Sequence, residues 1–366
     1  MRRHPHTARA VLAGLLLWQA TATRPGTAAQ EPRADLGRLI ASMSEPGGYF
    51  DTDNLVSNEA SYAHVVARLA PVGGVYIGVG PEQNFNYIAR TRPTRAFLVD
   101  LRRDNMIHVL LLIGVLAEAE TPADYLATLF SRDVHLDPTA DLETIAAATA
   151  AAIPQEPDLA RNLTRIRETL ETDLGVELSA DDWKRMALFY RTYFEIGLGL
   201  SFMSHGHSGW GRYPSYRELL LARTPGGEPA HFLAAADDYR FVRDLARSGR
   251  LVPIVGDFAG DGALRAIGDF LRERDEEVTT FYTSNVEFYL ARTGRFAPWV
   301  ENVRRLPLAD DAIFLRAYFD YGRRHPQSVP GFRSTIVRQL IPTFLELWDA
   351  GELRSYWDVC AREALP

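Results

Sequence analysis

Cysteine is nearly absent: Cys360 is the single one in 366 residues. The chain therefore holds no intrachain disulfide framework and no cysteine-rich metal site. Lysine is as scarce. Lys184 is the only one, and the other basic residues are arginine, which excludes Schiff-base chemistry on any other lysine and leaves no Walker-type phosphate loop. An excess of positive charge is missing too. With 40 basic against 47 acidic residues and a net charge of -7, the chain as a whole has no attraction for nucleic acid or anionic lipid. Internal repeats are lacking, as is any apolar run long enough to span a bilayer. What is present, 46% hydrophobic and 24% charged residues, is the composition of a folded protein and excludes disorder and multi-span membrane architectures.

The first thirty residues stand apart. Arg2, Arg3 and Arg9 precede an apolar run, AVLAGLLLWQA, and small residues follow at Ala20, Ala22, Thr27 and Ala29. This is the tripartite pattern of a secretory signal peptide. Cleavage after Ala29 would remove four arginines and no acid, taking the charge from -7 to -11. A periplasmic or secreted protein with no stable membrane anchor is expected. A start codon placed too early, with the protein beginning near Met43, would make it cytoplasmic instead.

Along the chain, Leu36, Leu39 and Ile40 mark a short helix. A polar loop follows, EPGGYFDTDNLVSNEASY. Val75-Tyr76-Ile77 then closes on Gly78-Val79-Gly80, a helical stretch covers 85–90, and Ala96-Phe97-Leu98-Val99-Asp100 ends in an acid. Strand, glycine turn, helix and strand with a terminal carboxylate are the opening of a doubly wound α/β sheet. Residues 105–200 read as helices, and 201–230 as a loop-rich segment. Strands resume at 251–255, 278–283 and 312–319, and the last thirty residues, TIVRQLIPTFLELWDAGELRSYWDVCARE, read as helical and amphipathic. The expected division is a leader over 1–29, a first half-sheet over 30–104, a helical insertion over 105–230 and a second half over 231–366.

Candidate site residues lie at the strand ends. Glycines at Gly78 and Gly80 let a ligand approach the backbone, and Asp100 stands where an acid accepts ribose hydroxyls. The third glycine of the dinucleotide fingerprint is replaced by Gln83, and Glu82 would oppose a pyrophosphate. A cofactor without phosphates, such as S-adenosylmethionine, fits better. Asp257 and Phe258, after the third strand, suit an adenine, the acid accepting from the amine and the ring stacking. Asn105 is a further cofactor contact, and the polar loop contributes Asp53, Asn54, Asn58 and Glu59 as a lid; a self-capping turn is its alternative. His205-Gly206-His207 with His231 is the one grouping to weigh for zinc. Its glycine-rich loop context reads better as solvated, and no metal is expected.

The series Gly78-Val79-Gly80, Asp100, Gly256-Asp257-Phe258 and Ser284-Asn285 resembles class I S-adenosylmethionine-dependent methyltransferases. The stretches GGYFDTDNLVSNEASY, GGVYIGVGPEQNFNYIA, FLVDLRRDN, VPIVGDFAG and TSNVEFYL resemble more closely an uncharacterised bacterial family with that fold. The resemblance implies a Rossmann-like methyltransferase fold with a large helical insertion, a cradle at Gly78 and Gly80, ribose contact at Asp100 and adenine contact near Asp257 and Phe258. Ser284-Asn285 matches the start of the Asn-Pro-Pro-Tyr motif of amino-methylating enzymes, but Val286 and Glu287 replace its prolines. The expectation is methyl transfer to an unknown small-molecule or protein acceptor, with Asn285, Glu287 and Asp53 as candidate catalytic groups. A non-enzymatic exported protein that binds a ligand or partner on the same fold is the alternative.

Overall fold

In the computed structural model, residues 36–52, 55–203, 213–320 and 322–366 are described; the leader reading, Asp53, Asn54, His205 and His207 lie outside them. A short helix, α1 (Leu36–Met43), and another, α2 (Tyr62–Val66), flank the polar loop. The chain then forms β1 (Val75–Gly78), α3 (Gln83–Thr91) and β2 (Arg95–Asp100). Seven helices follow: α4 (Arg103–Glu118), α5 (Pro122–Phe130), α6 (Leu142–Ala151), α7 (Glu156–Glu168), α8 (Ala180–Ile196), α9 (Tyr216–Leu220) and α10 (Ala236–Arg247). The second half comprises β3 (Leu251–Val255), α11 (Ala263–Arg272), β4 (Val278–Ser284), α12 (Val286–Arg292), α13 (Phe296–Arg304), β5 (Leu308–Phe319), β6 (Ser334–Leu340), α14 (Ile341–Asp349) and α15 (Tyr356–Ala361).

The strands form one six-stranded sheet in the order β3-β2-β1-β4-β5-β6. The first five are parallel, and β6 runs antiparallel to β5. Every residue of β1, β2 and β3 is buried, as expected of parallel strands covered on both faces. Winding proceeds outward from β1 to β3, then returns to β4 on the other side of β1. The carboxyl ends of β1 and β4 therefore diverge at a topological switch point, where a doubly wound sheet has its crevice.

The helical run between β2 and β3 is anchored to the sheet and is not a detached domain. Residues 105–116 of α4 are all buried, because this helix is apolar on every side. It packs on β2 and β3 with one face and on α5, α7, α8 and α10 with the others. A boundary at residue 105 would fall inside α4, and α10 carries the helical layer on to Arg247. Local stop signals set the helix ends: capping boxes at Thr121–Asp124, Ser179–Asp182 and Ser215–Glu218 start α5, α8 and α9.

The C-terminal segment corrects the sequence reading. Residues expected to be helical begin with strand β6, whose Thr335, Ile336 and Val337 are buried against β5. Three adjacent β-branched residues favour a strand, and Pro342 at the first turn of α14 marks where helix begins. Among the described residues, no helix is long and apolar enough to cross a membrane.

Candidate functional site

The crevice at the ends of β1 and β4 is filled by polar side chains. Gly78 ends β1, and a Cβ there would lie 2.0 Å from Asn84 Oδ1. Asn84 folds back over the turn, donating from Nδ2 to the carbonyls of Val79, Gly80 and Pro81 at 3.0, 3.1 and 2.8 Å and accepting from the Tyr76 hydroxyl at 2.8 Å. The space that Gly78 opens is thus taken by the protein. Gly80, with φ +81°, has no atom within 4 Å of the position a Cβ would occupy, so the open part of the turn is there.

Helix α3 begins beside this turn and sends two residues into the crevice. Gln83 donates to Glu59 at 3.1 Å and Tyr87 at 2.9 Å, and accepts from Ser57. Glu59, brought in by the polar loop, also accepts from the Tyr282 hydroxyl at 2.7 Å and from Ser284, the last residue of β4. It is buried, and burial raises its carboxyl above the usual range against the pull of those three donors. Glu82 is held differently. The hydroxyls of Tyr125 and Tyr216 both donate to its Oε1 at 2.7 Å. Burial pushes its carboxyl up to about 7, in spite of the two tyrosine bonds. A cavity of about 20 Å³, room for about one water, lies among Ser57, Glu82, Gln83, Asn86, Tyr216 and His231. His231 accepts the amide of Leu233 on Nδ1 at 3.4 Å, which puts its proton on Nε2. Burial holds this imidazole down at about 3, so it is neutral.

A second polar corner sits at the end of β2. Asp100 takes the backbone amide of Arg102 at 2.9 Å, its Nε at 3.2 Å and its Nη2 at 3.1 Å. Three of the roughly four acceptor positions of the carboxylate are thereby used. Arg102 also donates to the Thr52 carbonyl at 2.6 Å, and Tyr193 to that of Leu55 at 2.7 Å, which fixes the polar loop over this corner. Because the Tyr193 proton goes to Leu55, His108 must donate from Nε2 to Tyr193, 2.9 Å away. Its Nδ1 is then an acceptor, and it is buried without a partner. Burial, with the charge of Arg102 nearby, keeps His108 at about 3. Asn105, one turn earlier on α4 and 2% exposed, has neither side-chain atom bonded, and Thr52 Oγ1 is also unpaired. Orphaned buried polar atoms are rare and call for a cause; Thr52, Asn105 and His108 contribute four of them from the segments flanking Asp100 and Arg102, and others are scattered through the core.

The remaining expected site residues lie elsewhere or are engaged. Phe258 is 4% exposed and meets Phe281 edge to face at 5.1 Å, inside the core. Asp257 bonds Arg295 and the amide of Ala259. Glu287 is fully buried in an ion pair with Arg316 at 2.7 Å, a neutralised group rather than a free base. Asn285 is half-buried before α12. Among the described residues, no group of three metal-ligating side chains occurs. Sequence reasoning passed over Gln83 as a site residue, Asn86, Tyr125, His108 and the site role of His231. Gln83 and Asn86 lie on α3 and His108 on α4, and only the packing of Tyr125 from α5 and of His231 from the loop before α10 turns them into a site.

Residues 54–194 and 211–341 match the model of a family described as Domain of unknown function (DUF7790). The chain belongs to this family. The DUF7790 match spans Glu59, Glu82, Gln83, Asp100, Asn105, Tyr216, His231 and Tyr282, and Thr52 lies just before it. No curated protein matches the chain.

Proposed function

We propose that this chain is an S-adenosylmethionine-dependent methyltransferase of unknown acceptor. The observation that carries the reading is Asn105. Its amide nitrogen and oxygen are both buried and unpaired, in the first turn of the helix that follows Asp100. An asparagine amide presented this way complements the donor–acceptor edge of adenine, and Asp100 retains an acceptor position for a ribose hydroxyl. Gly80 leaves its side of the turn open. Glu82 supports a cofactor without phosphates, since a carboxylate stands at the helix N-terminus where a pyrophosphate would otherwise be received.

When bound, S-adenosylmethionine supplies an activated methyl group. The chain's own part is to hold and orient the reactants. Glu82 is the crevice group suited to take a proton from an acceptor, because its carboxyl titrates near 7 and both tyrosine hydroxyls bond its Oε1 rather than its Oε2. Glu287, tied to Arg316, is not. Calorimetric titration with S-adenosylmethionine and S-adenosylhomocysteine tests the reading: binding is expected, weakened in Asp100→Ala. Absence of heat with both ligands would sink it.

One observation favours the non-enzymatic alternative. Asn84 and the Glu59–Gln83–Tyr282 network fill the crevice and leave a cavity of about 20 Å³. A protein that binds a different ligand or a partner would show no methyl transfer, whatever its affinity for that ligand. For export, the expected mature N-terminus is Gln30, read by mass spectrometry of the native protein.

A further inference from the structure

A second cavity lies away from the sheet, in the helical layer. It measures about 310 Å³ and opens among the ends of α5, α6 and α8 and the start of α9. That is many times the room one water needs. Phe130, Ile196 and Leu198 give it apolar walls, and Arg132 and Arg217 bring two positive charges to it. Ile196 is 47% exposed, an apolar surface left uncovered at the site.

Neither arginine is neutralised. Both lack a carboxylate partner among the described residues, in a chain where most arginines have one. Arg132 donates from Nη1 to the Ala152 carbonyl at 2.6 Å, and its Nε is buried with no partner at all. Its Nη2 lies 2.9 Å from where a Cβ of Gly197 would be. Only a residue without a side chain lets the guanidinium rest there, and φ +65° at Gly197 suits glycine as well. Burial pulls the Arg132 guanidinium below its ordinary value, and no acid counters it. A half-buried, unpaired cation is unfavourable unless an anion joins it.

The cavity is separate from the crevice. Phe130 and Tyr216 meet edge to face at 5.2 Å, and Tyr216 directs its hydroxyl to Glu82 on the far side, while Ser215 and Arg217, its neighbours in sequence, face the cavity. A ligand here would not overlap the site around Asp100.

We propose that this cavity binds a small organic carboxylate, its anionic end on Arg132 and Arg217 and its hydrocarbon part against Phe130, Ile196 and Leu198. Two guanidiniums provide the charge-assisted donors that carboxylates select, and the apolar walls distinguish an amphiphilic acid from a bare inorganic anion. The inference is independent of any cofactor in the crevice.

Calorimetric titration of the full chain with hexanoate, its neutral counterpart hexanamide and inorganic phosphate tests it. Hexanoate is expected to bind at one site, with hexanamide and phosphate each weaker by about tenfold or more. Arg217→Gln, an exposed position, is expected to keep the wild-type melting temperature and weaken hexanoate by about tenfold, and Arg132→Gln to weaken it similarly. Equal affinity for hexanoate and hexanamide, tighter binding of phosphate than of hexanoate, or wild-type affinity in Arg217→Gln would overturn the proposal.

Discussion

Asn105→Leu separates a ligand-binding role from a structural one, because the two predict opposite signs. In the free protein the Asn105 amide nitrogen and oxygen are both buried without partners. An unsatisfied buried polar group costs about 1–3 kcal/mol. Leucine removes both, and in α4 it is a better helix former by about 0.5 kcal/mol. Against this stands the added bulk in a position 2% exposed, with an overpacking cost of about 1–3 kcal/mol. The balance is a variant as stable as the parent or more so, by about 1 kcal/mol, read as the urea midpoint at unchanged slope. Binding moves the other way. Loss of a two-point contact to an adenine edge costs about 1–3 kcal/mol, so calorimetric affinity for S-adenosylmethionine should fall by roughly five- to 150-fold. A variant destabilised by more than about 1 kcal/mol, with cofactor affinity unchanged, would refute the reasoning. The amide would then be satisfied by a buried water and would serve the fold.

Three other perturbations test the geometry. Glu82 titrates near 7 in the folded chain against 4.5 when exposed, so its protonated form favours folding: that contribution is present below pH 4.5 and lost as pH rises through 7. The full span is about 3 kcal/mol, and Glu82→Gln should gain on the parent by up to that amount between pH 5 and pH 8 in urea titrations. A pH-independent difference would count against a raised carboxyl. His108 and His231, held at about 3, act in the opposite direction and cancel in this comparison. Arg316→Met should cost about 3–5 kcal/mol by stranding the buried Glu287, and Glu287→Gln added to it should restore most of that; additive losses in the double variant would speak against a coupled pair. Gly78→Ala should destabilise by about 1–3 kcal/mol, because its Cβ displaces Asn84 and the bonds it makes across the turn. Gly80→Ala meets no atom and pays the positive-φ penalty alone, about 1–2 kcal/mol; a silent Gly78→Ala would show that Asn84 does not hold the turn.

Much of the sheet was legible because its signals are local. The runs at 75–78, 96–100 and 251–255 are short, apolar and stopped by glycine or an acid, and each became a fully buried parallel strand. Strand β6 was not legible in the same way. Arg338 and Gln339 interrupt its apolar run, and the helical sequence after Pro342 blurs the boundary. The site divided likewise. Asp100, Asn105, Glu82, Asp257 and Phe258 were all marked by their place after a strand, but place alone does not show that Phe258 packs on Phe281 and Asp257 bonds Arg295.

By itself, then, the sequence determined the α/β layering, the glycine turn after β1 and the acid ending β2, since strand and turn chemistry act over a few residues. The tertiary structure alone decided which polar groups meet. Tyr125 and Tyr216 reach Glu82 from 43 and 134 residues away, Ser284 reaches Glu59 from 225, and Arg316 neutralises Glu287 from the next strand. A carboxyl's charge depends on its burial and on neighbours brought together by folding, and no local pattern encodes either.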